Sequence, residues 1–171
     1  MIKQARSLSA EIHTKQRDKL GMPYAAHPAR VAANVQTHPR FSTLPAHVQS
    51  EVICAAYLHD TIEDGPSQGF APNYAFEQAE FTEAVFEIVT LLTKPEPAGS
   101  LDGYYNAIAA HPLARMVKLA DIADNTNVGR SQKLPADVRN RLASKYVHAL
   151  DVLSLSSEEH GWLEELQQKD V

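Results

Sequence analysis

Residues 55–65, with the sequence AAYLHDTIEDG, constrain the fold and chemistry of this chain more than any other stretch. The run begins apolar enough to form a buried helix, and a Gly-Pro pair ends it. Residues three and four apart share a helix face, so Asp60 is expected near Glu63 and Asp64, with His59 above Glu63. Three carboxylates and an imidazole at the inner end of a core helix repel one another, and transferring them out of water is unfavourable. A divalent cation would reverse both costs.

The alternative is a helix end that is simply acidic and solvated. Helix C-termini favour cations over acidic residues, which counts against this alternative. It is hardest to accept for His59 and Asp60, which follow directly on the apolar run, and it stays open for Glu63 and Asp64. If the stretch is a metal site, further ligands must come from elsewhere in the chain.

Length and composition indicate one ordinary globular domain. The 171 residues are enough for a hydrophobic core, and 44% of them are apolar and 22% charged. We therefore expect a single domain over residues 1–171. Cys54 is the only cysteine, so no internal disulfide can form, and it is expected in the core.

The net charge and the distribution of apolar residues limit the expected partners. A formal charge of −5 argues against general nucleic-acid binding, and no run of the sequence is apolar enough to cross a membrane. We expect a cytoplasmic protein that acts on a small molecule, with neither nucleic acid nor membrane as a partner. The sequence leaves the oligomeric state open.

The helical spacing of apolar residues predicts an all-α fold, a compact bundle of many helices. Alanine, leucine and charged residues dominate, and strand-like alternation is scarce. The predicted helices cover residues 2–19, 28–38, 46–64, 74–78, 81–92, 101–110, 113–125, 135–153 and 157–168. Residues 94–100, rich in proline and glycine, are predicted to form a loop that could cover a site.

Three separated segments carry the residue types of a metal site. They are His27-Pro28 at a helix start, His59-Asp60 at a helix end, and Asp121 inside a helix. Two imidazoles and two carboxylates suit Mn²⁺, Fe²⁺, Mg²⁺ or Zn²⁺ rather than a soft metal. Four protein ligands leave an octahedral ion free positions for water and a substrate oxygen, and such water becomes acidic.

This H…HD…D pattern resembles that of the His-Asp (HD) phosphohydrolase superfamily. Residues 19–28, KLGMPYAAHP, are similar to the family's G-x-P-Y-x-x-H-P, and residues 55–65 to its A-x-L-H-D-x-x-E-D. Residues 117–125, VKLADIADN, are similar to its V-K-L-A-D-x-x-x-N. All three motifs in this order resemble the branch that contains the RelA/SpoT-type alarmone (ppGpp) hydrolase domain and the small alarmone hydrolases. The resemblance extends from residue 10 to about residue 153 and implies the HD-domain bundle.

The resemblance also implies site residues. Carried over position by position, it implies that one metal ion, usually Mn²⁺, is bound by His27, His59, Asp60 and Asp121. It implies that Glu63 and Asp64 position or deprotonate the attacking water and handle leaving-group protons. Asn125 and Tyr146 match nucleotide-contacting positions, and Lys19 is the best-placed additional cation for phosphate. The sequence leaves open whether Lys118, Lys94 or His111 enters the pocket.

The implied reaction is removal of pyrophosphate from the 3′ position of an alarmone-like nucleotide, of the ppGpp or ppApp type. Guanosine-directed members tend to carry two basic residues where this chain has Asp18-Lys19, which weakens the case for ppGpp and leaves the base open. Hydrolysis of other nucleotides and a non-catalytic nucleotide sensor are the alternatives. A synthetase activity is not expected in a chain of this length.

Overall fold

The all-α prediction is confirmed by the structure. A computed structural model describes residues 1–71, 73–78, 81–95 and 101–169. Its helices are α1 (Ile2–Ile12), α2 (Ala26–Val35), α3 (Ala46–Leu58), α4 (Thr61–Asp64), α5 (Tyr74–Gln78), α6 (Glu83–Leu92), α7 (Leu101–Ala110), α8 (Pro112–Thr126), α9 (Val128–Ser131), α10 (Ala136–Leu153) and α11 (Ser157–Gln168). Short 3₁₀ helices at Phe41–Thr43 and Gly65–Gln68 complete the described helical elements.

The first helix is shorter than predicted. It ends at Ile12 instead of residue 19, and a turn-rich segment leads from there to α2. In that segment Oδ1 of Asp18 accepts hydrogen bonds from the backbone N–H groups of Leu20 (2.8 Å) and Met22 (2.9 Å). Gly21 has a φ of +76°, a conformation that favours glycine. The Asp18 carboxylate thus satisfies the backbone in a non-helical conformation, which ends any helical continuation.

The central helix is interrupted where the prediction had it continuous to residue 64. Helix α3 ends at Leu58, and α4 begins at Thr61. Nδ1 of His59 lies 2.9 Å from the carbonyl oxygen of Ala56, and the Thr61 hydroxyl donates to the carbonyl oxygen of Leu58 at 2.6 Å. These side chains bind carbonyls that a continuous helix would use, so the chain turns at His59 and Asp60.

Helices α2, α3 and α8 form the centre of the bundle. Helix α2 packs against both α3 and α8, while α1 and α6 cover α3, and α7, α10 and α11 cover α8. Most of α3 after Glu51 is buried, including Cys54 as predicted, and so is nearly all of residues 114–124 of α8. Polar side chains on these three helices are therefore forced to find partners inside the molecule.

No helix in the described part of the chain is both long and apolar enough to span a membrane.

Candidate active site

Two imidazole nitrogens and two carboxylate oxygens converge where α2, α3 and α8 meet. Nε2 of His27 lies 3.7 Å from Oδ2 of Asp60 and 3.3 Å from Oδ1 of Asp121. Nε2 of His59 lies 3.0 Å from the same Asp60 oxygen and 3.8 Å from the same Asp121 oxygen. Ligands about 2.1 Å from one ion are separated by about 3 Å when adjacent and about 4.2 Å when opposite. Ligand atoms of His27, His59 and Asp60 all lie within 4.8 Å of one another, so these three could hold one small divalent cation, and Asp121 lies close to both imidazole nitrogens.

His27 is held in a ligand-like orientation by Asp124. Its Nδ1 lies 2.7 Å from Oδ2 of Asp124, and Arg30 donates to the same carboxylate from Nε (2.5 Å) and Nη2 (3.1 Å). An acid at Nδ1 fixes the proton on that nitrogen and directs the Nε2 lone pair into the cluster. Asp124 is buried, so this contact is protected from water.

His59 is oriented by the backbone. Its Nδ1 faces the Ala56 carbonyl oxygen, which only accepts, so Nδ1 carries a proton. Nε2 of His59 is buried and has no hydrogen-bond partner among the described residues, although Oδ2 of Asp60 is 3.0 Å away. A buried nitrogen lone pair this close to a carboxylate oxygen is unfavourable without a cation between them. The unpaired Nε2 of His59 is therefore a second observation that indicates a cation site.

The two carboxylates of the cluster are also anchored. The Tyr24 hydroxyl donates to Oδ2 of Asp60 at 2.6 Å, and the Lys118 ammonium donates to Oδ2 of Asp121 at 2.9 Å. Nδ2 of Asn125 donates to Oδ1 of Asp121 at 2.5 Å. Each carboxylate thus has a fixed rotamer before any ligand binds, which preorganises the cluster.

Protons compete with a metal for this cluster. Burial lowers the pKa of His27, but hydrogen bonds to Asp121 and Asp124 and the charge of Asp60 together raise it to about 10. The pKa of His59 is also raised: burial opposes the shift, and the Asp60 and Asp121 charges outweigh burial. A divalent ion would take the place of these protons between the same carboxylates.

Glu63 and Asp64 lie beside the cluster in different environments. Glu63 is exposed, and its Oε1 accepts a hydrogen bond from the Lys94 ammonium at 2.6 Å. Asp64 is partly buried, and its Oδ2 accepts from Nε2 of Gln16 at 2.8 Å. Burial and the charges of Asp60 and Glu63 raise the pKa of Asp64, while the hydrogen bond from Gln16 opposes that rise. A raised pKa makes Asp64, when it is ionised, a stronger proton acceptor than an ordinary aspartate.

Three residues of the cluster, His27, Asp60 and Asp121, line a cavity of about 180 Å³, which we call the inner chamber. Its charged lining consists of Lys19, Lys94, Lys118, Lys145, Asp60, Glu63, Asp64 and Asp121, and the remainder of Tyr24, His27, Asn125 and Tyr146. A second cavity of about 280 Å³, the outer chamber, shares Lys19, Tyr24, His27, Asp64 and Asn125 with it. The outer chamber adds two arginines and an aspartate, three leucines and two uncharged polar residues, so it has charges of both signs beside an apolar part: Arg17, Arg130, Asp18, Leu20, Leu134, Leu142, Gln16 and Ser131.

The inner chamber gathers most of the remaining residues that the sequence singled out. It contains Lys19, Asn125 and Tyr146, predicted to contact substrate, and also Lys94 and Lys118, which the sequence left open. His111 does not line either chamber. Its Nδ1 instead accepts a hydrogen bond from the N–H of Ala114 at 3.1 Å and caps α8. Of the predicted loop 94–100, residues 96–100 lie outside the described residues.

Several residues of the site were missed by the sequence motifs. Asp124 is a side-chain partner of His27, Gln16 is a partner of Asp64, and Lys145 and Arg130 supply cations to the chambers. Arg130 also donates to Oδ2 of Asp18 at 3.0 Å. The guanidinium of Arg130 on α9 therefore lies beside Asp18, the acidic residue that departs from the family pattern.

An all-helical bundle that gathers His and Asp side chains beside a lysine-rich cavity agrees with the bundle that the resemblance to HD hydrolase domains implies. The same fold occurs in a solved structure of a metazoan SpoT ortholog described as hydrolysing ppGpp. The TM-score is 0.72 at 22% sequence identity, over 96% of this chain and 92% of that one.

Curated relatives extend this likeness to particular proteins. The chain is 28% identical over 168 residues to a guanosine-3′,5′-bis(diphosphate) 3′-pyrophosphohydrolase of Aquifex aeolicus, across 94% of this chain and 23% of that one. It is 26% identical over 141 residues to the Haemophilus influenzae protein of that name, across 81% and 20%. It is 27% identical over 175 residues to the bifunctional (p)ppGpp synthase/hydrolase SpoT of Escherichia coli, across 96% and 23%.

The chain spans less than a quarter of the length of these relatives. No family model matches it. The relatives confirm the resemblance to RelA/SpoT-type hydrolases that the three motifs indicate.

Proposed function

We propose that this chain is a metal-dependent phosphohydrolase that removes pyrophosphate from the 3′ position of an alarmone-like nucleotide, ppGpp or ppApp. The observation that carries the proposal is the convergence of His27, His59, Asp60 and Asp121 beside a lysine-rich chamber that three of them line. The names of the relatives support the substrate class. The proposal includes a single hydrolase domain over residues 1–171 that acts in the cytoplasm.

The four converging side chains would hold one divalent ion, Mn²⁺ by preference and otherwise Fe²⁺, Mg²⁺ or Zn²⁺. When bound, such an ion would polarise a phosphoryl oxygen and acidify water. His27 and His59 donate neutral nitrogens in this role, so both must release the protons that their carboxylate neighbours favour. Tyr24 and Lys118 keep Asp60 and Asp121 in place throughout.

Asp64 is the proposed general base, and Glu63 the second acidic residue that handles protons. The Gln16 amide orients the Asp64 carboxylate, and its raised pKa suits it to accept a proton from water. The water oxygen then bonds to phosphorus and the bond between phosphorus and the ribose 3′-oxygen breaks. The ribose 3′-oxygen takes up the proton that the acidic pair removed from water, and pyrophosphate leaves.

The two chambers suit the two halves of such a substrate. The lysines of the inner chamber would neutralise phosphate charge. The outer chamber, a cavity of about 280 Å³ with Asn125, Arg130 and Leu142 in its lining, would take the nucleoside. Lys19 and Tyr146 are the proposed substrate contacts on the inner side. The net charge of −5 is consistent with a small nucleotide as partner in place of nucleic acid.

The direct test is an activity assay of the purified protein with Mn²⁺ against ppGpp, ppApp and 5′-nucleotides. We expect pyrophosphate release from at least one of the two 3′-pyrophosphates and loss of that release with a chelator. Phosphate release from 5′-nucleotides alone would instead identify a broader nucleotide hydrolase. Tight nucleotide binding with no turnover would identify a sensor.

A further inference from the structure

With the proposed divalent ion bound, the inner chamber would carry an excess of positive charge that an anionic ligand could balance. Its four lysines and four acidic residues cancel in formal charge, and a divalent ion adds two positive charges. Charges in a partly enclosed cavity are screened less than on an open surface, so an excess of this size favours an anionic ligand. A pyrophosphoryl group supplies the missing negative charge.

The four lysines are not equally available to such a ligand. Lys118 is bonded to Asp121 and Lys94 to Glu63, so each already has a carboxylate partner. Lys19 is exposed to solvent. Lys145 is partly buried on α10, and within the described ranges it forms no ion pair; its Nζ lies 5.1 Å from the centroid of the Tyr146 ring.

The surroundings of Lys145 are unfavourable for its positive charge. Burial and the nearby charges of Lys94, Lys118 and Lys19 lower its pKa, with Asp121 opposing the shift. A partly buried ammonium that has three other lysines nearby and no ion-pair partner among the described residues gains little from the fold itself. A phosphate oxygen in the chamber would give it a charge-assisted hydrogen bond and offset the repulsion.

We propose that Lys145 is a substrate-binding residue that holds the pyrophosphoryl group in the inner chamber. The proposal rests on the proposed function, which supplies the chemical class of the ligand. Lys145 lines the inner chamber and does not line the outer chamber, so we expect it to bind ppGpp and ppApp equally well. Lys145 therefore sets affinity for the phosphates and leaves the choice of base to other residues.

The test compares three variants with the wild type. Lys145→Met removes the charge at similar length, Lys145→Arg keeps a cation, and Lys3→Met removes an exposed lysine of α1 that lines neither chamber. Removing one charge-assisted hydrogen bond weakens an interaction by at least about tenfold, and the low end of the range is expected for a partly exposed lysine. We expect Lys145→Met to raise KM about tenfold with kcat within about threefold, Lys145→Arg to recover most of the loss, and Lys3→Met to match wild type.

A second measurement does not depend on turnover. Calorimetric titration of the Mn²⁺-loaded protein with inorganic pyrophosphate should give a Kd about tenfold higher for Lys145→Met than for wild type. If Lys145→Met melts at a clearly lower temperature, Lys145→Gln replaces it in both measurements.

The outcomes separate this inference from the proposed function. Wild-type hydrolysis with unchanged KM and unchanged pyrophosphate affinity in Lys145→Met would overturn the role of Lys145 and leave the proposed function standing. Absence of hydrolysis in the wild type would reject the proposed function. The pyrophosphate titration would still test Lys145. Equal pyrophosphate affinity in the wild type and Lys145→Met, or no pyrophosphate binding by the wild type, would overturn its role.

Discussion

The Asp124→Asn substitution tests whether the orientation of His27 is set by its buried carboxylate partner. Asp124 accepts from Nδ1 of His27 at 2.7 Å and from two nitrogens of Arg30 at 2.5 and 3.1 Å. An asparagine has one oxygen in place of two, so it presents an amide NH₂ either to Nδ1 of His27 or to Nε of Arg30, where the carboxylate presents an acceptor to each. If the oxygen faces Arg30, the amide NH₂ faces His27 and drives its proton to Nε2, the nitrogen that points into the cluster.

The expected magnitude follows from the hydrogen bond that His27 would no longer make to a carboxylate. A hydrogen bond to a charged group contributes about 1.5–3 kcal/mol, and removal of a residue that orients a metal-binding histidine typically weakens metal affinity about 10–100-fold. That range corresponds to about 1.4–2.8 kcal/mol, which matches the contribution of the hydrogen bond. We therefore expect the Kd for Mn²⁺ to rise about 10–100-fold in Asp124→Asn.

The assay is calorimetric titration with Mn²⁺ at one fixed pH. Asp137→Asn is the matched control, because Asp137 is exposed in the first turn of α10 and lines neither chamber. Circular dichroism and a melting curve establish that both variants fold. A folded Asp124→Asn protein whose Mn²⁺ affinity equals that of the wild type would refute the orienting role of Asp124.

Three other predictions concern the same site. The Glu63→Gln, Asp64→Asn double variant should lose at least about 100-fold in turnover while its Mn²⁺ affinity stays near wild type; equal activity would remove both residues from the mechanism. Gln16→Leu should lower kcat about tenfold through a misplaced Asp64, with no change in metal affinity, and a changed metal Kd would count against that assignment. Since His27 must lose a proton whose pKa is about 10, Mn²⁺ affinity should rise with pH from about 7 to about 9, and binding near neutral pH should release at least one proton. Titrations in two buffers of different ionisation enthalpy measure that release, and identical heats in both would contradict it.

The fold class was predictable because helical periodicity is a local property of the sequence. The end of α1 was not, because it depends on how Asp18 bonds the backbone of the turn that follows and how Arg130, far along the chain, holds that same carboxylate. The break after Leu58 likewise comes from side chains that bind carbonyls of their own helix. Periodicity carries no signal for such side-chain contacts.

The sequence also predicted which residues of the cluster should meet. The structure brings His27, His59, Asp60 and Asp121 together, and their role as ligands stays a prediction. Their supporting residues could not be foreseen in the same way. Asp124, which orients His27, is 97 positions from it in the sequence, and Gln16, which orients Asp64, is 48 positions from it. Only the folded structure therefore reveals these pairs.

The most direct test of a single metal centre in this cluster is anomalous scattering from a crystal of the Mn²⁺-loaded protein. We expect one strong anomalous peak about 2.1 Å from Nε2 of His27, Nε2 of His59 and the facing oxygens of Asp60 and Asp121. A map from crystals grown in abundant Mn²⁺ with no peak among these four side chains, or with its peak elsewhere, would contradict a metal centre at this place.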